Sequence, residues 1–165
     1  MVDQVSPIRF LKQEKKMNNQ ETLTAKGRIK FDLYDASGNL KETREINNVV
    51  VTVGKNYLAD WLTQATQADY FMRYIGLGTG TNAANASDTT LQTELSTRVA
   101  GTLTPSSNVW QNVASFGPGV NTGAITESGI FSASSGGTLF ARQTFAVINK
   151  GAGDSLQVTW QVTFS

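Results

Sequence analysis

From Lys26 onward, apolar residues fall at every second position in short runs, and each run ends in a cluster of glycine, proline, serine, asparagine or aspartate. A period of two sends alternate side chains to opposite faces of an extended chain, so these runs predict half-buried strands. The last is the cleanest: Leu156, Val158, Trp160, Val162 and Phe164 alternate with Gln157, Thr159, Gln161, Thr163 and Ser165. At the other end, Ile29, Phe31 and Leu33 alternate with Arg28, Lys30 and Asp32. The turn cluster Asp35-Ala36-Ser37-Gly38-Asn39 then leads into a partner strand over 40–53, which predicts a hairpin. Asn47-Asn48 marks the point where that second strand is expected to bulge or kink. Further strands are predicted over 70–77, 98–104, 109–116, 124–133, 138–148 and 156–164. Short strands with turn signals at this spacing imply a mainly β protein, an antiparallel β-sandwich of jelly-roll-like kind.

Two stretches depart from that period. Gly54 is expected to end the strand, and Leu58, Trp61, Leu62 and Ala65 then fall at i, i+3, i+4 and i+7, with Tyr57 beside them. That spacing predicts one helix over 55–65 with its apolar stripe on the core. Residues 88–95 read as a short helical turn capped by Asp88 or Thr89. Residues 1–24 show no sustained period and read as an extended N-terminal arm ahead of a single β-rich domain, 25–165. Ile8, Phe10 and Leu11 form the arm's small apolar cluster, and Lys12, Lys15 and Lys16 follow it. Fully extended, the arm spans about 80 Å. These six residues are the candidate assembly contacts, with Phe10 as the anchor of a segment that orders on binding.

Histidine and cysteine are both absent. That excludes Cys/His zinc sites, iron–sulfur clusters, His- or Cys-ligated haem, disulfides and Cys- or His-based nucleophilic catalysis. No apolar run approaches the roughly 18–20 residues that span a bilayer, and Met1–Pro7 lacks the basic and apolar regions of a signal peptide. The chain is expected to be made in the cytoplasm, with no membrane partner.

Net charge is only +1, but it is unevenly placed. Of the 27 charged side chains 18 lie in the first 60 residues, while 97–165 hold only Arg98, Glu127, Arg142, Lys150 and Asp154. Two readings stay open for that charge-poor stretch. One is a neutral surface of Thr, Ser and Asn; the other, favoured here, is a surface buried in protein–protein contacts, whose cores are depleted of charge. A nucleic-acid partner is not expected, because acids interrupt the lysines of the arm and no aromatics interleave them.

Carboxylates are the main acid/base groups left. Glu127, alone in an otherwise uncharged strand, is the most distinctive, and its expected role is a structural ion pair with Arg98 or Arg142. A glycan-cleaving enzyme using Glu127 and Asp88 is a minor alternative. Gly76-Leu77-Gly78-Thr79-Gly80-Thr81 has the glycines of a phosphate loop but neither the lysine nor a helix directly after it, so it reads as a loop. Asn82, Asn85 and Asp88 supply one carboxylate, too few for calcium. No catalytic residue, metal ligand or cofactor is assigned. Exposed Trp110 or Tyr70 would be the place for a glycan, although core or interface is the expected role of both.

Three segments together carry a resemblance. Ile75 to Thr81, then Gly123-Ala124-Ile125-Thr126-Glu127-Ser128-Gly129-Ile130-Phe131 with Leu139-Phe140-Ala141-Arg142, and finally Ile148-Asn149-Lys150-Gly151-Ala152-Gly153-Asp154 running on to Phe164, look like structural proteins of tailed bacteriophages. The likeness covers about residues 45–165. It implies a non-enzymatic virion protein, most simply a capsid cement or decoration protein on the head surface, made in the bacterial cytoplasm. Its implied partners are the major capsid protein or other virion proteins and further copies of itself, as a trimer or dimer. A neck, tail or fibre component, acting as an adaptor or in host attachment, is the alternative.

Overall fold

A computed structural model of the chain describes residues 22–61 and 71–165. The expected hairpin is there: β1 (Ala25–Tyr34) pairs antiparallel with β2 (Leu40–Val50). Its turn is held by Asp35, whose Oδ1 accepts from the backbone N–H of Ser37 and of Asn39, each at 2.9 Å, while Gly38 takes the positive φ of 83°. The helix α1 (Thr52–Trp61) follows at once. It starts three residues earlier than the periodicity predicts, because Gly54 lies inside its first turn rather than before it. A Cβ at that position would stand 2.3 Å from the Phe140 carbonyl oxygen, so the glycine lets the helix press onto the backbone of a neighbouring strand. Leu62 and Ala65 lie outside the described residues; Leu58 and Trp61 are half-buried.

The remaining strands are β3 (Tyr74–Gly78), β4 (Val99–Ala100), β5 (Thr102–Ser106), β6 (Val109–Phe116), β7 (Gly123–Phe131), β8 (Leu139–Lys150) and β9 (Ser155–Phe164). All pairings are antiparallel, in the order β4-β3-β7-β8-β2-β1-β9-β6-β5. The fold is therefore mainly β with one helix, as the sequence implies, and the nine strands form one nearly closed, barrel-like sheet.

Two bends close it. β2 pairs with β1 as far as Asn48 and then with β8 at Val49 and Val50; the register runs evenly through Asn47-Asn48, where the sequence predicts a bulge or kink, and the hairpin's register shift lies instead at Leu33/Tyr34. Gly27 lies where the partner changes, and a Cβ there would overlap the Asn48 side chain. On the far side, the single strand predicted over 98–104 is broken at Gly101, leaving β4 on one edge and β5 on the other. A side chain at 101 would collide with Asn112 Oδ1, while Asn112 Nδ2 donates to the Met72 carbonyl at 3.1 Å. One glycine and one buried amide thus turn the sheet back on itself.

The inward faces fill the barrel with Ile29, Phe31, Leu77, Ile125, Ile130 and Trp160, among others. Along β9 the alternation is obeyed: Leu156, Val158, Trp160 and Val162 are buried and the residues between them are half-buried. Residues 88–95 form no helical turn. Their backbone is held instead by side chains from the sheet.

Candidate functional site

The glycine-rich segment and the lone acid of β7 form one centre. Gly76, Gly78 and Gly129 run along the β3–β7 pairing, with Gly78 opposite Glu127 and Gly76 opposite Gly129. Glu127 reaches over the loop that leaves β3. Its Oε1 accepts from the N–H of Gly80 at 3.0 Å and of Thr93 at 2.7 Å, and its Oε2 accepts from the N–H of Gln92 at 3.1 Å. A Cβ at Gly78 or at Gly80 would stand 2.5 Å from Glu127 Oε1. The glycines therefore vacate the volume that the carboxylate fills. The loop's N–H groups do cradle an anion, but the anion is the protein's own side chain.

Flanking residues extend the contact. Thr126 Oγ1 donates to the Gly80 carbonyl at 2.9 Å, and Ser128 Oγ donates to the Gly76 carbonyl at 3.0 Å. Arg142, on the neighbouring β8, supplies the countercharge: its Nε lies 2.9 Å and its Nη2 2.8 Å from Glu127 Oε2. Arg142 Nη1 donates to Asp88 Oδ2 at 2.7 Å and Nη2 to the Asn82 carbonyl at 3.1 Å. Asp88, expected to cap a helical turn, is thus the second acid on the same guanidinium. It also accepts from the Asn85 N–H at 2.9 Å.

Of the two candidate partners for Glu127, the structure places Arg142 there. Arg98 is paired with Glu94, four residues earlier, through Nε and through Nη2 at 2.8 Å. Its guanidinium lies 3.4 Å from the centre of the Phe131 ring, and Nη1 donates to the carbonyls of Ala133 and Gly136. Sequence spacing gave no sign of the Asp88 and Glu94 roles, since both depend on how the loop folds back on the sheet.

The last two charges of the C-terminal stretch are also committed. Lys150 Nζ donates to the Gly117 carbonyl at 2.8 Å; burial pushes the amine below its usual range, while Asp154 acts in the opposite direction. Asp154 accepts from Lys41 Nζ at 2.7 Å and from the Gly151 N–H at 2.9 Å, and these bonds hold its carboxyl below the usual carboxylate range. Side-chain exposure is 0% for both Glu127 and Arg142, 8% for Arg98 and 10% for Asp154, and Lys150 as a residue is 1% exposed. All five charged side chains of residues 97–165 are turned inward.

The outer faces of β6 and β9 carry no charged side chain of their own, and the charges beside them, Arg28, Lys30 and Glu45, come from β1 and β2. β6 and β9 present Gln111, Val113, Gln157, Thr159, Gln161 and Thr163, with Gln161 Nε2 donating to Gln111 Oε1 at 2.6 Å. Val147 on β8 is an exposed apolar residue. Trp110 is half-buried, its ring 6.0 Å from that of Phe140. Tyr70 and the arm candidates Ile8, Phe10, Leu11, Lys12, Lys15 and Lys16 lie outside the described residues.

Chemically, the Glu127 centre is saturated. Each carboxylate oxygen already accepts at least two hydrogen bonds, and none of three clefts among the described residues is lined by Glu127, Asp88 or Arg142. Among the described residues no three acids gather as they would around a metal ion, and no helix is long and apolar enough to cross a membrane. Comparison with protein-family models, with curated proteins and with solved structures finds no match for this chain.

Proposed function

We propose that this chain is a non-enzymatic structural protein of a tailed-bacteriophage virion, a capsid cement or decoration protein that stabilises the head lattice. In this reading the barrel is a flattened, jelly-roll-like β-sandwich carrying an extended N-terminal arm. One observation carries the proposal: residues 97–165 bury every charge they own and face outward with amides, hydroxyls and a few apolar side chains. A free protein keeps itself apart from its neighbours by surface charge. Strand faces that contribute none, even where β1 and β2 border them with Arg28, Lys30 and Glu45, are suited to contact with other protein, where charge is costly to desolvate and uncharged polar groups pair readily. The segments that resemble phage structural proteins are also those that build the Glu127 centre and the β9 wall.

Cementing then follows from mass action. A protein that binds the assembled lattice and not its separated subunits stabilises the lattice. The partners are the major capsid protein and further copies of this chain, as a trimer or dimer at a local symmetry axis; the reaction needs no cofactor, nucleic acid or membrane.

The test is removal of residues 1–21 followed by assembly onto particles. Thr24 pairs with Ser165 through both backbone groups, so the truncation leaves that edge of the sheet intact. The expected result is a chain that still unfolds in one cooperative transition, with reduced occupancy on the particle. Full occupancy without the arm would contradict its assembly role, and labelling confined to the neck or tail would replace the cement reading with the neck, tail or fibre one.

A further inference from the structure

The barrel is open at one end, and the opening is apolar. A cleft of about 430 Å³ lies between α1 and the ends of β5, β6 and β9, lined by Leu58, Trp61, Met72, Leu103, Trp110 and Phe164 among others, with no charged side chain among them. An apolar cleft of this size, left open by the described residues, is a surface suited to an apolar partner.

The chain itself ends its described part at the mouth of this cleft. Phe164, in the cleft wall, is the register partner of Ala25, and Thr24 and Ser165 exchange backbone hydrogen bonds at 2.7 and 3.0 Å. The 21 residues before Thr22 therefore leave from its rim. Within them, Ile8, Phe10 and Leu11 make the one apolar cluster, followed by the lysines at 12, 15 and 16. Phe10 lies fifteen positions before Ala25. A flexible tether of that length has a root-mean-square span of about 20 Å, which covers the return to the adjoining cleft. Such a tether holds its end at an effective concentration in the millimolar range, well above that of any second copy in a dilute solution.

We infer that in the free protein the Ile8–Phe10–Leu11 cluster seats in this cleft of its own chain. The ring of Phe10 fills the space beside Trp110 and Leu103, and the lysines that follow stay in solvent. The arm is then stored on its own barrel. Its release to a neighbour in an assembly is an exchange of like for like, the low-cost route by which identical elements swap between copies. The inference concerns the isolated chain, so its failure is separable from failure of the virion reading, which particle occupancy tests.

The absence of native cysteine makes the test clean. In the full-length chain, Arg9→Cys combined with Leu103→Cys carries two thiols only and keeps Phe10. Under mild oxidation it should form a disulfide within one chain, about tenfold faster than Arg9→Cys combined with Gln157→Cys on the outer face of β9, as the local concentration requires. Equal rates for the two pairs, or no bond at all, would overturn the inference. A disulfide-linked dimer would overturn it in favour of a second copy as the occupant. As a second measurement that leaves the barrel unaltered, Phe10→Asp in the otherwise native chain should shift tryptophan emission to the red by exposing Trp61 and Trp110. Emission identical to that of the parent chain would count against the contact.

Discussion

The β1–β2 hairpin and the C-terminal stretch treat charge in opposite ways. On the hairpin, most charge faces outward: Arg28 pairs with Glu45 at 2.7 Å with side chains 52% and 45% exposed, exposed Lys30 reaches the buried Asp32 at 2.8 Å, and Arg44 pairs with Glu42. From residue 97 on, every charge faces inward, tied to another element of the fold. The two sets of ion pairs look alike on distance alone. Their energetic roles differ, because exposed pairs exchange one hydrated state for another whereas a buried charge is costly to leave without its partner. The hairpin charges keep one side of the molecule in solvent. The inward charges hold loops in place and leave the outer faces of β6 and β9 with no charge of their own, bordered by Arg28 and Lys30 of β1.

The contrast is broken most sharply at Glu127. Glu127→Ala strands Arg142 in the interior and removes the acceptor for three backbone N–H groups, so unfolding in denaturant should show a loss of about 3–5 kcal/mol. A loss below 1 kcal/mol would mean that the centre does not hold the loop. The paired variant Glu127→Gln with Arg142→Met removes both charges and keeps a carbonyl for the loop, and its loss should be smaller, about 1–3 kcal/mol. If the pair cost more than Glu127→Ala alone, the ionic contact itself would be the larger contribution. On the hairpin, Glu45→Ala should change stability by no more than about 1 kcal/mol, with any effect fading as salt is raised. A larger, salt-insensitive loss would erase the distinction between the two regions.

Asp154 joins the regions, since its partner Lys41 belongs to β2. Its carboxyl titrates below the usual range when folded, through the Lys41 and Gly151 bonds. A depressed folded value contributes stability that is present above the unfolded carboxylate range, about 3.9, and is lost as pH falls through the folded value. Asp154→Asn should therefore flatten the acid side of the stability profile below about pH 4 and leave the neutral side nearly level. A profile with the same acid slope as the parent would show that Asp154 is not among the groups responsible.

Alternation made most strands legible from the sequence, since β1, β6 and β9 each bury one face and period two is the direct consequence. The two amides Asn47-Asn48 ahead of a β-branched run signalled an irregularity, and the strand changes partner directly after them without a shift of register there. What escaped was set by contacts distant in sequence. Gly54 looks like a strand terminator and is instead a helical residue pressed on the backbone of Phe140, eighty-six positions away. Gly101 looks like an ordinary strand residue and is the corner where the sheet turns, because Asn112 occupies the space a side chain would need. At the centre, an isolated acid with two isolated arginines suggested an ion pair, and Arg142 fills that role. The capture of residues 80–93 by Glu127 was invisible, because its donors are backbone N–H groups that any sequence offers.

The account rests on this molecule working as a seam between other proteins, and counting it on the particle tests that most directly. Quantitative mass spectrometry of purified virions, referenced to the major capsid protein, should find copies in the hundreds, as a lattice-wide symmetric position demands. About a dozen copies or fewer would contradict the cement reading and leave a single ring at the neck or tail; no copies at all would contradict the virion reading itself.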